Sequence, residues 1–119
     1  MSDSHIIDLQ ALDRLREWGG DKLAGQMVRL FLKNSGDRMD QIRGGLAEGD
    51  LDQAERGAHS LKSSAANIGA EGLRTLVTRV ERLALDGELD EARAMLTELE
   101  AAYADAMSEL ETLEKGMPE

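Results

Sequence analysis

Residues 89–113 read LDEARAMLTELEAAYADAMSELETL, and the spacing of their apolar side chains decides the fold class. Steps of three and four separate these apolar residues: Leu89, Ala92, Leu96, Leu99, Tyr103, Ala106, Leu110 and Leu113. That period lines them up along one stripe of an α-helix and leaves the charged residues on the opposite face. The stretch therefore predicts one amphipathic helix of about seven turns that packs against other helices.

Four upstream segments show the same period. Residues 51–68 and 73–84 each carry a stripe of leucine, alanine and β-branched residues, and each predicts a helix. Before them, the pattern predicts a short helix over about 8–18 and a helix of about 28 residues starting near 20–21. The weak helix-forming segment 34–37 lies inside the long helix, which we expect to be continuous. Glycine favours the left-handed backbone that ends a helix, and three pairs mark the ends: Gly19-Gly20, Gly49-Asp50 and Asp86-Gly87.

Four long helices joined by tight turns predict an all-α fold. Short connections force successive helices to pack antiparallel, which gives an up-down-up-down four-helix bundle with a short N-terminal capping helix. The length of 119 residues is enough for one core, so we expect a single domain with short mobile ends at about 1–5 and 115–119.

Composition limits the function further. The chain has no cysteine, which excludes disulfides and thiol chemistry and suits a reducing cytoplasm. Its net charge is −10, and residues 86–119 contain 11 acidic but only 2 basic residues. Binding to nucleic acid or an anionic membrane needs clustered lysine and arginine, so both are poor partners. With no apolar run of membrane-spanning length, we expect a cytoplasmic protein, and a closed bundle with a charged exterior favours a monomer.

The strongest chemical signal is the segment 58–70, AHSLKSSAANIGA, which contains one of the two histidines. Because each helical residue turns about 100° around the axis, His59 lies off the buried stripe that contains Ala58 and Leu61. An exposed imidazole is a good nucleophile near neutral pH, since its reference pKa is about 6.5. Lys62, one turn away, can pair with a phosphoryl group.

The neighbours of His59 on the exposed stripe are Glu55, Ser63 and Ala66. Serine and alanine are too small to obstruct a protein that approaches the ring. We find no phosphate-binding glycine loop, no metal-binding carboxylate cluster and no nucleotide site in the sequence. The pattern therefore predicts a phosphoryl acceptor whose partner brings the phosphate and the catalytic machinery. Glu55 either orients the ring through Nδ1 or is a simple surface acid.

Residues 58–63 followed by 67–70 resemble the histidine-containing phosphotransfer (HPt) domain family of two-component phosphorelays, and the resemblance extends over about 6–113. It implies that His59 is phosphorylated, through Nε2, and that Lys62 steadies the phosphoryl group. It also implies that small residues keep the docking face open: Ser63, Ala66 and Gly69. Serine stands at position 63, where glycine is frequent in the family.

The resemblance implies a phosphorelay intermediate that takes a phosphoryl group from a receiver-domain aspartate and passes it to another receiver. The expected partners are response-regulator receivers and a hybrid sensor histidine kinase. Mg²⁺ is expected on the receiver, with no cofactor, metal or ATP site on this chain. Leu12 and Leu15 are expected to help the first helix cover one end of the bundle. Leu12, Leu15 and Leu23, if exposed or half-exposed, are also candidates for an apolar docking patch. An adaptor that regulates a receiver or kinase without carrying phosphate remains the alternative function.

Overall fold

The computed structural model describes residues 6–117, and this part of the chain is helical with no strand. Its helices are α1 (Leu9–Glu48), α2 (Leu51–Ile68), α3 (Glu71–Leu85), α4 (Leu89–Ala94) and α5 (Leu96–Lys115). α2 packs between α1 and α3, and α5 closes the bundle against the same two helices. The predicted all-α bundle is confirmed. Of the expected mobile ends, residues 1–5 and 118–119 lie outside the described residues, and 115 is the last residue of α5.

The predicted short capping helix is the first part of α1. The helix breaks at Gly19 (φ −148°, ψ 17°) and Gly20 (φ 73°, ψ −173°), where the left-handed backbone favours glycine. The segment before this break covers one end of the bundle, where the Asp8 backbone N–H donates to the Gly69 carbonyl at 2.7 Å.

Two of the leucines that we expected in an exposed docking patch belong to the core. Leu12 and Leu15 are 0% and 6% exposed, and Leu23 is half-buried. That prediction is wrong because the capping segment must bury its own apolar stripe over the end of the bundle.

The long part of α1 runs without interruption through residues 34–37, as predicted. Ser35 lies buried inside this segment, where its hydroxyl group is 3.0 Å from the Tyr103 hydroxyl. The hydrogen bond satisfies both polar groups, so the serine can occupy a core position of the helix.

The predicted seven-turn final helix is divided at Met95 into α4 and α5. The Met95 N–H donates to the carbonyls of Glu91 and Ala92 at 3.2 and 3.1 Å, which tightens the turn locally. The expectation of one unbroken helix is therefore wrong at this residue. The apolar stripe nevertheless continues across the break, since Ala92 and Leu99 are both 0% exposed.

α2 approaches α1 closely because small residues line their contact. A Cβ added to Gly45 would lie 2.6 Å from the Ala54 backbone nitrogen, and one on Gly57 would lie 3.1 Å from the Arg38 carbonyl oxygen. The start of α2 is fixed by Asp50, whose carboxylate accepts the Gln53 backbone N–H at 3.0 Å. α2 therefore has one face locked into the core and leaves the opposite face free for the site described below.

An ion pair joins α1 to α5. The Arg43 guanidinium donates to both carboxylate oxygens of Glu100, at 2.5 and 2.6 Å, and to Asp40 at 2.8 Å. Hydrogen bonding to Arg43 outweighs the opposing effect of partial burial and lowers the pKa of Glu100 below its ordinary 4.5. A carboxyl group with a lowered folded-state pKa stabilises the fold above its unfolded-state pKa, and this contribution disappears as the pH falls through the folded-state value.

We expect Glu100→Gln to lower the free energy of unfolding near neutral pH. The effect should be about 1 kcal/mol or less, because the Arg43 and Glu100 side chains are each 37% exposed and water screens the pair. The difference from wild type should vanish below the folded-state pKa of Glu100. Urea unfolding at about pH 7 and at successively lower pH follows this decrease. Glu98→Gln, an exposed acid on the same helix, is the control, and a difference that persists in acid would contradict the prediction.

Candidate functional site

His59 lies in the middle of α2, on the face that points away from the core. Its side chain is 61% exposed, whereas Ala58 and Leu61 on the same helix are 0% exposed. The helical period thus separates the imidazole from the packing residues, as the sequence predicts. Substitution at His59 can alter the chemistry of this surface without removing core contacts.

Glu81 on α3 joins His59 to Lys62. Its Oε2 is 2.7 Å from His59 Nδ1, and its Oε1 accepts a hydrogen bond from Lys62 Nζ at 2.6 Å. The Glu81 side chain is only 9% exposed, so the carboxylate lies beneath the two groups that it bonds. One buried acid therefore fixes the position of both residues that the sequence singled out.

The charge state of Glu81 determines which ring nitrogen carries the proton. Burial raises the pKa of Glu81, but hydrogen bonds and charge from Lys62 and His59 outweigh it, so the pKa lies below its ordinary 4.5. The carboxylate is thus ionised near neutral pH and accepts two hydrogen bonds. A neutral imidazole bonded to it must carry its proton on Nδ1. The lone pair is then on Nε2, on the exposed side chain.

The predicted neighbours of His59 occupy different environments. Ser63 is exposed and Ala66 is half-buried on α2, one and two turns beyond the ring. Glu55 has a carboxylate oxygen within 4.8 Å of ligand atoms of both His59 and Glu81. The carboxylate that bonds Nδ1 belongs to Glu81, however, and Glu55 supplies a second negative charge nearby.

Gly69 lies away from this group of residues, about 15 Å along α2 from His59. It is buried, its φ is 82°, and an added Cβ would be 2.5 Å from the Asp8 carbonyl oxygen. The structure therefore gives Gly69 a packing position, where it ends α2 beneath the N-terminal segment.

Sequence reasoning missed Glu81 because it lies 22 residues after His59 on another helix. A signal was nevertheless present: Val77, Glu81 and Ala84 follow the apolar spacing of α3, and all three are buried. An acid within a buried stripe needs a partner, since an unpaired buried charge is costly. A search for such acids would have selected Glu81.

The same residues form a set that could in principle bind a metal ion. Within residues 6–117, Glu55, His59 and Glu81 each bring one ligand-type atom to within 4.8 Å of the others. The Lys62 ammonium already lies against the Glu81 carboxylate at 2.6 Å, and a cation would have to displace it. The chemistry of this set therefore fits an oriented imidazole better than a metal centre.

Comparison with known proteins assigns the family. The sequence model of the Hpt domain family matches residues 26–113, which include α2 and α3 in full. No curated protein sequence matches the chain. Across residues 6–117, no helix is both long and apolar enough to cross a membrane.

Two solved structures have the same fold. Histidine-containing phosphotransfer protein B (HptB) from Pseudomonas aeruginosa is 24% identical, with a TM-score of 0.89 over 98% of this chain and 100% of its own. A rice protein assigned as a histidine-containing phosphotransfer protein is 20% identical, with a TM-score of 0.76 over 92% of this chain and 80% of its own. The family model matches most of the length of this chain, which shows that the chain belongs to the Hpt domain family.

Proposed function

We propose that this chain is a phosphorelay intermediate, in which His59 accepts a phosphoryl group from a receiver-domain aspartate and passes it to another receiver. The observation that carries the proposal is the hydrogen bond from His59 Nδ1 to Glu81, which leaves the Nε2 lone pair on a ring 61% exposed. Membership of the Hpt domain family supports a phosphotransfer role in two-component signalling.

The position of His59 suits attack on a phosphoryl group held by another protein. Transfer needs the nucleophile, the phosphorus and the leaving oxygen roughly in line, so a second protein must approach the ring closely. On the exposed face, Ser63 and Ala66 have small side chains that leave room for this approach. The receiver is proposed to supply the aspartyl phosphate together with its Mg²⁺ ion.

Lys62 is the proposed ligand of the transferred group. In the free chain its ammonium is bonded to Glu81, and its side chain is 31% exposed. A phosphoryl group carries about two negative charges near neutral pH and attracts the ammonium more strongly than one carboxylate does. The Lys62 side chain can leave Glu81 and move towards the phosphoryl oxygens without any change in the helix backbone.

The distribution of acidic residues favours the approach of a phosphorylated partner to the face that carries His59. The acidic residues of 86–119 lie largely on α4 and α5, and α5 packs against α1 and α3, across the bundle from α2. The repulsion that the acids of α4 and α5 exert on an incoming phosphoryl group therefore acts mainly away from His59. We propose receivers and a hybrid sensor histidine kinase as partners, with this chain acting as a cytoplasmic monomer.

A panel of receiver domains carrying labelled aspartyl phosphate tests the function. We expect transfer of label to this chain, with the acid sensitivity of a phosphoramidate, and onward transfer to a second receiver. Receiver binding without transfer would replace the proposal with the adaptor function. Neither binding nor label across the panel would refute both.

A further inference from the structure

We propose that Glu81 keeps the Nδ1 proton on His59 while the ring is phosphorylated, and thereby makes release of the phosphoryl group fast. This deepens the function proposed above and rests on it. Glu81 does not touch the reacting atoms. It is a positioning residue that acts through the imidazole, to which its carboxylate is bonded at 2.7 Å.

The proton on Nδ1 affects both directions of transfer. In the forward step, the Nε2 lone pair attacks phosphorus, an N–P bond forms, and the P–O bond to the receiver aspartate breaks with its electrons on the carboxylate. The ring keeps its Nδ1 proton and becomes cationic. The Glu81 carboxylate faces this new positive charge, so the phosphorylated ring is stabilised in its protonated form.

Release then proceeds with neutral imidazole as the leaving group. Water or a receiver carboxylate attacks phosphorus, the N–P bond breaks, and its electron pair returns to Nε2. If the ring had lost its Nδ1 proton to solvent, the same step would have to expel an imidazolate, which is a far stronger base and a much poorer leaving group. A carboxylate at Nδ1 therefore determines how readily phosphohistidine is discharged.

Glu81 is better placed than the other acid for this task. Within residues 6–117, the acids grouped with the ring are Glu55 from α2 and Glu81 from α3, and Lys62 from α2 is bonded to Glu81. Glu81 is the buried member and the one bonded to Nδ1, whereas Glu55 is only half-buried. When Lys62 turns to the phosphoryl group, the ring becomes the remaining partner of Glu81, which strengthens their interaction.

The test measures release of inorganic phosphate from the chain after labelling with potassium phosphoramidate, a donor that requires no receiver. Rates are followed from about pH 6 to about pH 9 for wild type and Glu81→Gln, which has the same shape without the charge. Loss of the negative charge beside Nδ1 makes the proton there easier to lose. We therefore expect release from Glu81→Gln to slow at a lower pH than release from wild type, and to be about tenfold or more below wild type near pH 8.5.

Two further variants make the result specific. Glu71→Gln, the same change on α3 at a residue paired with Arg74, should follow wild type. Glu55→Gln should shift the profile less than Glu81→Gln, because Glu55 is not bonded to Nδ1. Coinciding profiles for wild type and Glu81→Gln, or equal shifts for both site variants, would overturn the inference.

A measurement on the wild type alone does not depend on whether the variant folds. The Nδ1 nitrogen of the phosphorylated chain is titrated by ¹⁵N NMR, folded and in urea. We expect the folded chain to hold this proton to a higher pH, and identical titrations would refute the role of Glu81. Failure of the proposed function is a separate result, since it appears as absent transfer from receivers.

Discussion

His59→Ala is expected to remove all phosphoryl incorporation from receiver domains while the helical bundle stays folded. The substitution deletes the nucleophile, and Glu81 cannot take its place, because it is buried and already bonded to Lys62. Stability should change by less than about 1 kcal/mol, since the lost side chain is 61% exposed and contributes nothing to the core. Labelling and urea unfolding of the same preparation measure the two effects.

His5→Ala is the matched control, because His5 is the other histidine of the chain. It should be labelled like wild type. Residual acid-sensitive label on His59→Ala would mean that another residue carries the phosphoryl group. Loss of label together with loss of helical signal would mean that the fold, and not the chemistry, was affected.

Leu61→Ala should lower the stability of the fold and leave phosphorylation of His59 intact, although Leu61 lies only two residues from His59. Leu61 is 0% exposed and points into the core between the helices. Truncation removes buried methyl groups and leaves a cavity, which costs about 2–5 kcal/mol. That is a large part of the roughly 5–15 kcal/mol that stabilises a typical domain. We expect a much lower urea midpoint, with His59 still labelled under conditions where the variant is folded.

The control for this prediction is Leu85→Ala, the same substitution at the end of α3, where the leucine is 60% exposed. It should change stability by about 0.5 kcal/mol or less. Equal losses of stability in the two variants would show that helix propensity, and not core packing, determines the effect of replacing leucine with alanine. Loss of labelling by folded Leu61→Ala would show that the two faces of α2 are not independent.

Much of the architecture could be predicted from local patterns. The turns at Gly49 and Gly87 have φ values of 76° and 77°, where glycine is favoured, and the break at Gly19-Gly20 follows the same logic. The exposure of His59 could also be predicted, because a helical period assigns each residue to a face. These features depend on residues within a few positions of one another.

The two errors have different physical origins. The final helix breaks at Met95 although its apolar stripe continues. The spacing of apolar residues predicts which side chains are buried, but it does not predict which backbone hydrogen bonds form. Leu12 and Leu15 were candidates both for the cover of the bundle end and for a docking patch, and only the packing of the other helices decides that they are buried. The burial of Leu12 and Leu15 thus depends on contacts between helices, whereas the turn at Met95 is made by local backbone hydrogen bonds.

The sequence by itself determined the helices, their order, the family resemblance and the selection of His59 as the candidate phosphoryl acceptor. Each of these depends on the spacing of residues within one segment of the chain. Only the tertiary structure decided that Glu81 bonds Nδ1 of His59 and Nζ of Lys62. The reason is that α3 must fold back along α2 before a residue 22 positions away can meet the imidazole. The identity of the reactive residue is therefore local information, and its tautomer is set by packing.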